Sequence, residues 1–314
     1  MLKSLAVLAG AAVLAAPGAA SAQQAAPRLA IVINVDGLTT DLFFRHRQHF
    51  TGGLARMGRG VVYADAAVTA DPTTGLAAAL GADSVTVKVS GAAPGDGRGA
   101  FGQAWSWDGR RFVGNPPSSP SRVMPVANEA IARLVATEEA PLAPPVACAG
   151  TSESPRFGRA AGDVAAFAMS PAMDGATLAV SAGLIGELAM GTDAMPDLIA
   201  IDLPATGHAT RAFGPGSQAS CLQLLSLDSD LAGFFSQLDR GGIDYVVALT
   251  GSAQAGVKAP LLFWRAGMTP AVRQDPVSQN DLSPTIAAVL GLEGARGRLA
   301  GNCLASIAGR ACSP

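Results

Sequence analysis

The feature that most constrains the fold is an apolar run near the start of the chain, Leu29–Val35, which ends at Asp36-Gly37. A strand with one face in water alternates apolar and polar residues, whereas a strand covered on both faces is apolar almost throughout. The run therefore predicts a buried parallel strand. A sheet that contains such a strand needs helices on both of its faces.

The rest of the chain continues this pattern. Further apolar strands are predicted in "PDLIAIDL", "IDYVVALTG" and "APLLFWRAG", with helical segments between them. A helix is predicted over Phe43–Gly58, a hairpin in "AFGQAWSWDGRRFVG" with Asp108-Gly109 at its turn, and a late helix with Asp281 near its start. Alternation of strands and helices predicts an α/β fold with a mainly parallel sheet.

The first 22 residues have the features of a signal peptide. Lys3 provides a positive start, an apolar run follows over 5–16, and Ala20-Ser21-Ala22 forms an A-x-A cleavage site. The run is too short to span a bilayer, so no stable membrane span is expected. We expect cleavage near Ala22, a single mature domain over 23–314, and a periplasmic or secreted location.

Charge and cysteine content exclude some classes and favour others. The net charge of −2 gives no basic excess, which argues against a nucleic-acid partner. The four cysteines allow three pairings and suit structural disulfides in an oxidising compartment. Cys303 and Cys312 could close a small loop, and no C-x-x-C spacing suggests a zinc knot.

Ligands of such sheets bind beyond the carboxyl ends of the strands. Three predicted strand ends are available, at Asp36, at Gly207-His208 and at Gly251-Ser252. Phosphate-ester hydrolysis with two divalent ions at this position would need about six converging Asp and His side chains.

Nine segments carry a resemblance to a known family. They are "RLAIVINVDGLTTDLF", "RQHFTGGLARMGRGVVY", "QAWSWDGRRFV", "PVANEAIARLVA", "PDLIAIDLPAT", "FGPGSQ", "LDSDLAGFFSQLDRGGIDYVVALTG", "PLLFWRAG" and "NDLSPTIAAVLGL". In this order they resemble the alkaline phosphatase superfamily, specifically the bacterial secreted single-chain zinc enzymes with a threonine nucleophile. The resemblance implies an alkaline-phosphatase-like core with reduced insertions, because family members are longer than this chain. It also implies metal-dependent phosphate monoester hydrolysis with two zinc ions as the family activity.

When the positions are compared one by one, this chain retains few of the residues that the resemblance implies for the site. Asp36 matches the first metal-binding aspartate, and the nucleophile position falls on Asp71, although a shifted alignment offers Thr69 or Thr73. An Asp and a His that bind one zinc are replaced by Gly207 and Arg211.

The second metal site is altered as well. Ser252 and Ala253 stand where the family has an Asp and a His, and the last ligand histidine has no counterpart before "PLLFW". Of the family's phosphate-binding Lys and Arg, the position after "VSG" is Ala92, and Arg98 alone could match the arginine.

Three functional hypotheses follow. The first is a secreted pseudophosphatase that has lost catalysis, with no cofactor expected and with Asp36 a vestigial ligand. The second is a residual single-metal phosphoesterase that uses Asp36, Asp71 and His208. The third is a non-catalytic module that binds a small anion or a glycan in the emptied cleft through Arg98 or Arg211. His46 and His49 are predicted to be surface residues of a helix, and Asp202 a satisfied structural carboxylate.

Overall fold

The computed structural model describes residues 26–69, 71–93, 100–115, 120–155, 157–252, 256–292, 294 and 297–312. The predicted signal peptide (1–22), Arg98 and Ala253 lie outside the described residues. Within the described residues, no helix is both long and apolar enough to cross a membrane.

One mixed sheet forms the centre of the described chain. Its strands are β1 (Leu29–Asp36), β2 (Val61–Ala67), β3 (Thr86–Ser90), β4 (Gln103–Trp107), β5 (Phe112–Asn115), β6 (Asp197–Leu203), β7 (Tyr245–Ser252), β8 (Lys258–Arg265), β9 (Ala271–Arg273) and β10 (Val277–Ser278). They pair in the order β10-β2-β8-β7-β1-β6-β3-β4-β5, and β9 also pairs with β2. The central strands β7, β1, β6, β3 and β4 are parallel, while β8 and β5 run antiparallel to their neighbours β7 and β4. The predicted α/β class with a mainly parallel sheet is confirmed.

Helices cover both faces of this sheet. They are α1 (Thr40–His46), α2 (Gly53–Met57), α3 (Thr74–Ala79), α4 (Val123–Ala136), α5 (Val164–Ala168), α6 (Pro171–Glu187), α7 (Ala205–Phe213), α8 (Gln218–Arg240), α9 (Leu282–Val289) and α10 (Ala305–Ala308). Strand β1 shows why its sequence is apolar on both faces. Ile31 and Ile33 belong to a core shared with α6 and α8, and Ala30 and Val32 belong to a second core shared with α9.

The predicted long helix over Phe43–Gly58 is wrong in its continuity. Helix α1 ends at His46, a short 3₁₀ turn follows, and α2 begins only at Gly53. Asp228 on α8 causes the break, because its carboxylate accepts hydrogen bonds from the backbone N–H groups of Thr51, Gly52, Leu54 and Ala55 at 2.7–3.2 Å. Those bonds satisfy the free amides at the start of α2 and fix its entry into the fold.

The histidines on this segment differ from their prediction as surface residues. His46 is buried, and its Nε2 atom has no hydrogen-bond partner among the described atoms. Burial, with contributions from Arg45 and His49, lowers the pKa of His46. His49 is half-buried. Both lie on α1 and its 3₁₀ extension, away from the strand ends.

Several local predictions are confirmed. Strands β4 and β5 form an antiparallel hairpin around Asp108-Gly109. A capping box formed by Ser278 and Asp281 precedes the late helix α9. The disulfides are Cys148–Cys221 and Cys303–Cys312, so the small C-terminal loop is closed as expected.

Candidate functional site

A row of polar side chains crosses four neighbouring parallel strands on one face of the sheet. Successive side chains of a strand point to opposite faces, so Asn34 shares a face with Ala30 and Val32 of β1. The pairing register places Asn34 beside Asp202 of β6 and Thr250 of β7, and places Ser90 of β3 beside Asp202. Polar groups therefore replace apolar ones on this face as the strands approach their carboxyl ends.

These polar ends border a pocket of about 390 Å³. The loop between β2 and α3, which carries Asp71, closes one side of it, and β4 closes another. Its polar lining consists of Asn34, Asp36, Thr69, Asp71, Thr73, Lys88, Ser90, Ser106, Asn115, Asp202, Thr250, Ser252 and Gln279. Pro72 and several alanines contribute apolar surface, whereas Trp105 and Leu203 border the pocket with side chains that are buried in the core on the other face of the sheet. A concave, partly apolar site at this edge of an α/β sheet is where a ligand is expected.

Lys88 is the central cation of the pocket. Its Nζ atom lies 2.6 Å from an Asp71 carboxylate oxygen and 3.5 Å from one of Asp202, and the lysine side chain is only 11% exposed. Burial opposes the charged ammonium, but Asp202 and Asp71 outweigh it and raise the pKa of Lys88. Lys88 is therefore charged at neutral pH and neutralises part of the charge of two carboxylates.

Asp71 has no acceptor capacity left for a ligand. One of its oxygens accepts from the backbone N–H and the hydroxyl of Thr73, at 3.0 and 2.5 Å. The other accepts from Lys88 and from the Thr74 hydroxyl, at 2.6 and 3.1 Å. Although burial raises the pKa of Asp71, these hydrogen bonds outweigh burial and lower it. Since a carboxylate offers about four acceptor sites, all of them are in use.

Asp202 is less fully bonded than Asp71. The Asn34 amide donates to it at 3.4 Å and Lys88 contacts it at 3.5 Å, both long for hydrogen bonds. Burial raises the pKa of Asp202, and Lys88 only partly offsets that effect. Asp202 thus lines the pocket beside Lys88 and is not the satisfied structural carboxylate that was predicted.

Gln279 fixes the loop that carries Asp71. Its side-chain nitrogen donates to the Thr250 hydroxyl at 2.8 Å and to the Gly251 carbonyl at 2.5 Å, and its oxygen accepts from the Thr69 backbone at 3.0 Å. The side chain is buried, so both ends of the amide are satisfied inside the protein. Gln279 therefore holds the β2–α3 loop against the end of β7.

Asp36 is paired with a cation of the protein itself. The Arg211 guanidinium donates to one carboxylate oxygen at 2.7 Å, and the Ser252 hydroxyl donates to the other at 3.1 Å. Asp36 and Ser252 lie side by side at the ends of β1 and β7. Asp36 thus contacts Arg211 and Ser252 directly, and the resemblance aligns all three with metal-binding positions.

The segment after β6 is a helix, so the strand ends at Leu203 and not at the predicted Gly207-His208. Helix α7 starts at Ala205 and carries Gly207, His208 and Arg211. Gly207 is buried, and a Cβ atom built on it would fall 1.9 Å from an Asp36 carboxylate oxygen. Gly37 approaches it closely from β1, with a φ of +72°, and a Cβ there would lie 2.6 Å from the Gly207 Cα. Two glycines thus allow α7 to pack directly on the end of β1.

Beneath α7 lies a fully buried carboxylate, Asp174 of α6. It accepts a hydrogen bond from the Ala205 backbone N–H at 3.1 Å and another from the Gln223 amide of α8 at 3.1 Å. Burial, with smaller repulsion from Asp230 and Asp36, raises the pKa of Asp174 to about 7. Asp174 therefore joins α6, α7 and α8 below the site.

The donors at the strand ends do not fit a pair of zinc ions. Zinc prefers three or four ligand atoms from His, Cys or carboxylate side chains. Among the described residues, no three such side chains are close enough to hold a metal ion. In particular, the structure does not gather Asp36, Asp71 and His208 into a ligand group, because Asp36 is bonded to Arg211 and Asp71 to Lys88. His208 is half-buried, and burial, with the nearby Arg211, lowers its pKa.

Sequence reasoning missed Lys88 and Gln279 as site residues. For Lys88 a signal was present, because "TVKVS" alternates polar and apolar residues and so places Thr86, Lys88 and Ser90 on one face of a strand. Val87 and Val89 are buried in the opposite core. No comparable local pattern marks Gln279, which lies far along the chain from the residues it contacts.

Two known proteins are similar in sequence to part of this chain. No protein-family profile matches the chain. It is 32% identical over 192 residues to alkaline phosphatase PhoK of Sphingomonas sp, a match that covers 58% of this chain and 33% of that protein. It is 31% identical over 200 residues to alkaline phosphatase PhoD of Zymomonas mobilis, covering 59% of this chain and 34% of that protein. The matched region thus spans about a third of the length of each relative.

Solved structures give the same fold. The crystal structure of wild-type alkaline phosphatase PafA superposes with a TM-score of 0.71, at 14% identity, over 91% of this chain and 99% of that one. A mutant of PafA superposes with a TM-score of 0.66, at 15% identity, over 85% of this chain and 96% of that one. The chain is therefore similar in sequence to two alkaline phosphatases over about a third of their length and shares its fold with alkaline phosphatase PafA.

Proposed function

We propose that this protein is a pseudophosphatase, a chain with the alkaline phosphatase fold whose metal-dependent catalysis has been lost. The observation that carries the proposal is the 2.7 Å contact between Arg211 and Asp36. A guanidinium carries a permanent positive charge, has no lone pair to give a metal and repels a cation beside the same carboxylate. The position that would bind the first metal is thus neutralised by the protein.

The nucleophile position supports the same proposal. Asp71 accepts four hydrogen bonds, including one from Lys88, so its carboxylate is not available to attack a phosphate ester. Two-metal phosphoryl chemistry needs ions that stabilise both the attacking and the leaving oxygen. The described strand ends supply cationic side chains bound to carboxylates instead of open ligand sets.

A periplasmic or secreted location is part of the proposal. Two disulfides, Cys148–Cys221 and Cys303–Cys312, support it, because such bonds persist in oxidising compartments.

The test measures metal content and turnover on the same preparation. Protein purified without chelator is expected to hold less than one zinc per chain by elemental analysis. It is expected to show no turnover of p-nitrophenyl phosphate above a zinc-containing blank. Chelator is expected to leave the melting temperature unchanged, because a ligand stabilises only a state that binds it.

Two results would contradict the proposal. One is two stoichiometric zinc ions. The other is zinc-dependent turnover that Asp36→Ala abolishes. The control is Asp275→Asn, a change at an exposed carboxylate paired with Arg273, which should leave such turnover intact. Either would mean that ligands from outside the described strand ends complete the site.

A further inference from the structure

The pocket beside Lys88 has hydrogen-bond donors and hydrogen-bond acceptors with unused capacity. We propose that it binds a neutral, hydroxyl-rich ligand of carbohydrate type. This inference rests on the pseudophosphatase proposal, because a bound metal would occupy the same carboxylates. Neither the relatives nor the fold assigns such a ligand to this chain.

Acceptors come from two carboxylates at the strand ends. Among the described residues, Asp202 receives two long contacts, from Asn34 and Lys88, and its side chain is 29% exposed. Asp36 receives one hydrogen bond on each oxygen, from Arg211 and Ser252, and its side chain is 32% exposed. Since each carboxylate has about four acceptor sites, both retain capacity for hydroxyl donors from a ligand.

Donors come from the wall between these carboxylates. The Lys88 ammonium has three N–H groups, and the contacts to Asp71 and Asp202 use two of them. The Ser90 hydroxyl accepts a hydrogen bond from the Ala92 backbone at 3.2 Å, which leaves its own proton to donate. A ligand group that both donates and accepts, as a hydroxyl does, matches this mixture of partners.

The charge of the pocket disfavours an anion. The described residues that line it include three carboxylates, Asp36, Asp71 and Asp202, and one cation, Lys88. A second cation, Arg211, is not part of the lining and pairs with Asp36. One negative charge remains, and both cations are already bonded to carboxylates. A phosphate or sulfate would have to displace those contacts and approach like charges, which opposes its binding.

Size and surface agree with a sugar ring. A volume of about 390 Å³ lies within the range of small-molecule sites, roughly 300–1,000 Å³. Pro72, Ala92 and Ala93, which are not buried, add apolar surface next to the polar strand ends. A pyranose presents apolar C–H faces and a polar rim of hydroxyls, so it matches both kinds of surface.

The experiment is a saturation-transfer NMR titration of the whole protein. The probes are the methyl pyranosides of glucose, galactose, mannose, xylose and N-acetylglucosamine, with inorganic phosphate followed separately by ³¹P line width. At least one pyranoside is expected to bind, and phosphate is not.

Variants then assign the binding to the pocket. Asp202→Asn keeps the shape of the side chain and removes its charge, and we expect about tenfold weaker binding, since charge-assisted hydrogen bonds are roughly twice as strong as neutral ones. Ser90→Ala removes one hydroxyl without any change in charge and should weaken binding severalfold. Asp275→Asn, the same chemical change at an exposed site, should bind as the wild type does.

Three results would overturn the inference. They are binding of phosphate but of no pyranoside, binding of neither, and equal affinities for wild type, Asp202→Asn and Ser90→Ala. Thermal melts show whether each variant is folded, and Ser90→Ala serves if Asp202→Asn is not. Zinc content and phosphatase turnover, measured separately, show whether the proposed loss of catalysis fails as well.

Discussion

At the scale of single residues, Lys88 acts as an internal counter-ion. Metal sites in proteins neutralise clustered carboxylates with a divalent cation, and this pocket uses an ammonium held by a strand of the sheet. The strand fixes the position of the charge, and the two aspartates hold it at 2.6 and 3.5 Å. Neutralisation of these carboxylates by Lys88 therefore does not depend on the concentration of a free metal ion.

Replacement of Lys88 by methionine should destabilise the protein near neutral pH. The change leaves Asp71 and Asp202 without their cation, and we expect the free energy of unfolding to fall by about 2 kcal/mol. This value lies between those for surface and buried ion pairs, because the carboxylates are about a quarter exposed. Urea unfolding measures it.

The pH dependence of Lys88→Met is a second readout. In the wild type the lowered pKa of Asp71 contributes stability that is present at neutral pH and is lost as the pH falls through that pKa. Without the ammonium, the two carboxylates repel each other and favour protonation, so the loss in the variant should shrink on acidification. Lys258→Met, at an exposed lysine, should change stability by no more than about 0.5 kcal/mol. A loss that is the same at every pH would mean that Lys88 acts through packing alone.

Gly207→Ala should destabilise the fold because no space exists for a side chain there. The added Cβ would lie 1.9 Å from an Asp36 oxygen, so Asp36 or helix α7 must move. We expect a loss of about 1–3 kcal/mol, as for other overpacked sites, measured by thermal melt. The matched control is Gly186→Ala in α6, where no atom lies within 4 Å of the added Cβ. It should be neutral or stabilising by up to about 1 kcal/mol. Similar melting temperatures for the two variants would contradict the tight contact.

At the scale of elements, α7 is held in place from below by Asp174. The carboxylate accepts from the first backbone N–H of that helix, at Ala205, and its charge is unfavourable in a fully buried position. Helix α7 carries both Gly207 and Arg211, so its position sets the geometry around Asp36.

Asp174→Asn should stabilise the protein at alkaline pH. The folded-state pKa of Asp174 is raised to about 7, so the wild type loses stability as the pH rises from about 4 to 7 and has lost it fully above pH 7. Asparagine keeps an acceptor for Ala205, and its amide can donate to the Gln223 oxygen, which is buried without a partner among the described atoms. We expect a gain of about 2 kcal/mol at pH 8 that declines towards pH 4, measured by urea unfolding across this range. A gain independent of pH would exclude the carboxylate charge as its cause.

Elements were predicted well where one local rule decides them. The strands β1, β6, β7 and β8 are short apolar runs because both faces of the sheet are covered, and the β4–β5 hairpin follows its Asp108-Gly109 turn. The break between α1 and α2 was not predictable, because it depends on Asp228, a residue more than 170 positions away in sequence. The pairing of Lys88 with Asp71 likewise requires knowledge of how two separate segments meet.

At the scale of the whole molecule, two disulfides that close loops of different length stabilise the fold. Cys148–Cys221 joins residues 73 positions apart, and Cys303–Cys312 joins residues 9 apart. In the chain-entropy description, longer loops restrict the unfolded chain more.

Removal of the longer disulfide should therefore destabilise the protein more. We expect losses of about 4 kcal/mol for the paired change of Cys148 and Cys221 to serine and about 3 kcal/mol for Cys303 and Cys312. Denaturant unfolding of the two double variants in parallel compares them. An equal or reversed order would show that native-state contacts near the C-terminus outweigh loop length.

The contact between Gly207 and Asp36 also bears on the proposed loss of a metal site. An aspartate at position 207 would meet Asp36 before any metal ion could bind between them, because the Asp36 carboxylate occupies the space that its Cβ needs. Arg211 holds that carboxylate in place. Recovery of a metal ligand at position 207 thus has to pass through a destabilised intermediate unless Arg211 changes as well. On the proposed loss of catalysis, the close packing makes that loss difficult to reverse at this position, because a ligand at position 207 lowers stability before it can restore any binding.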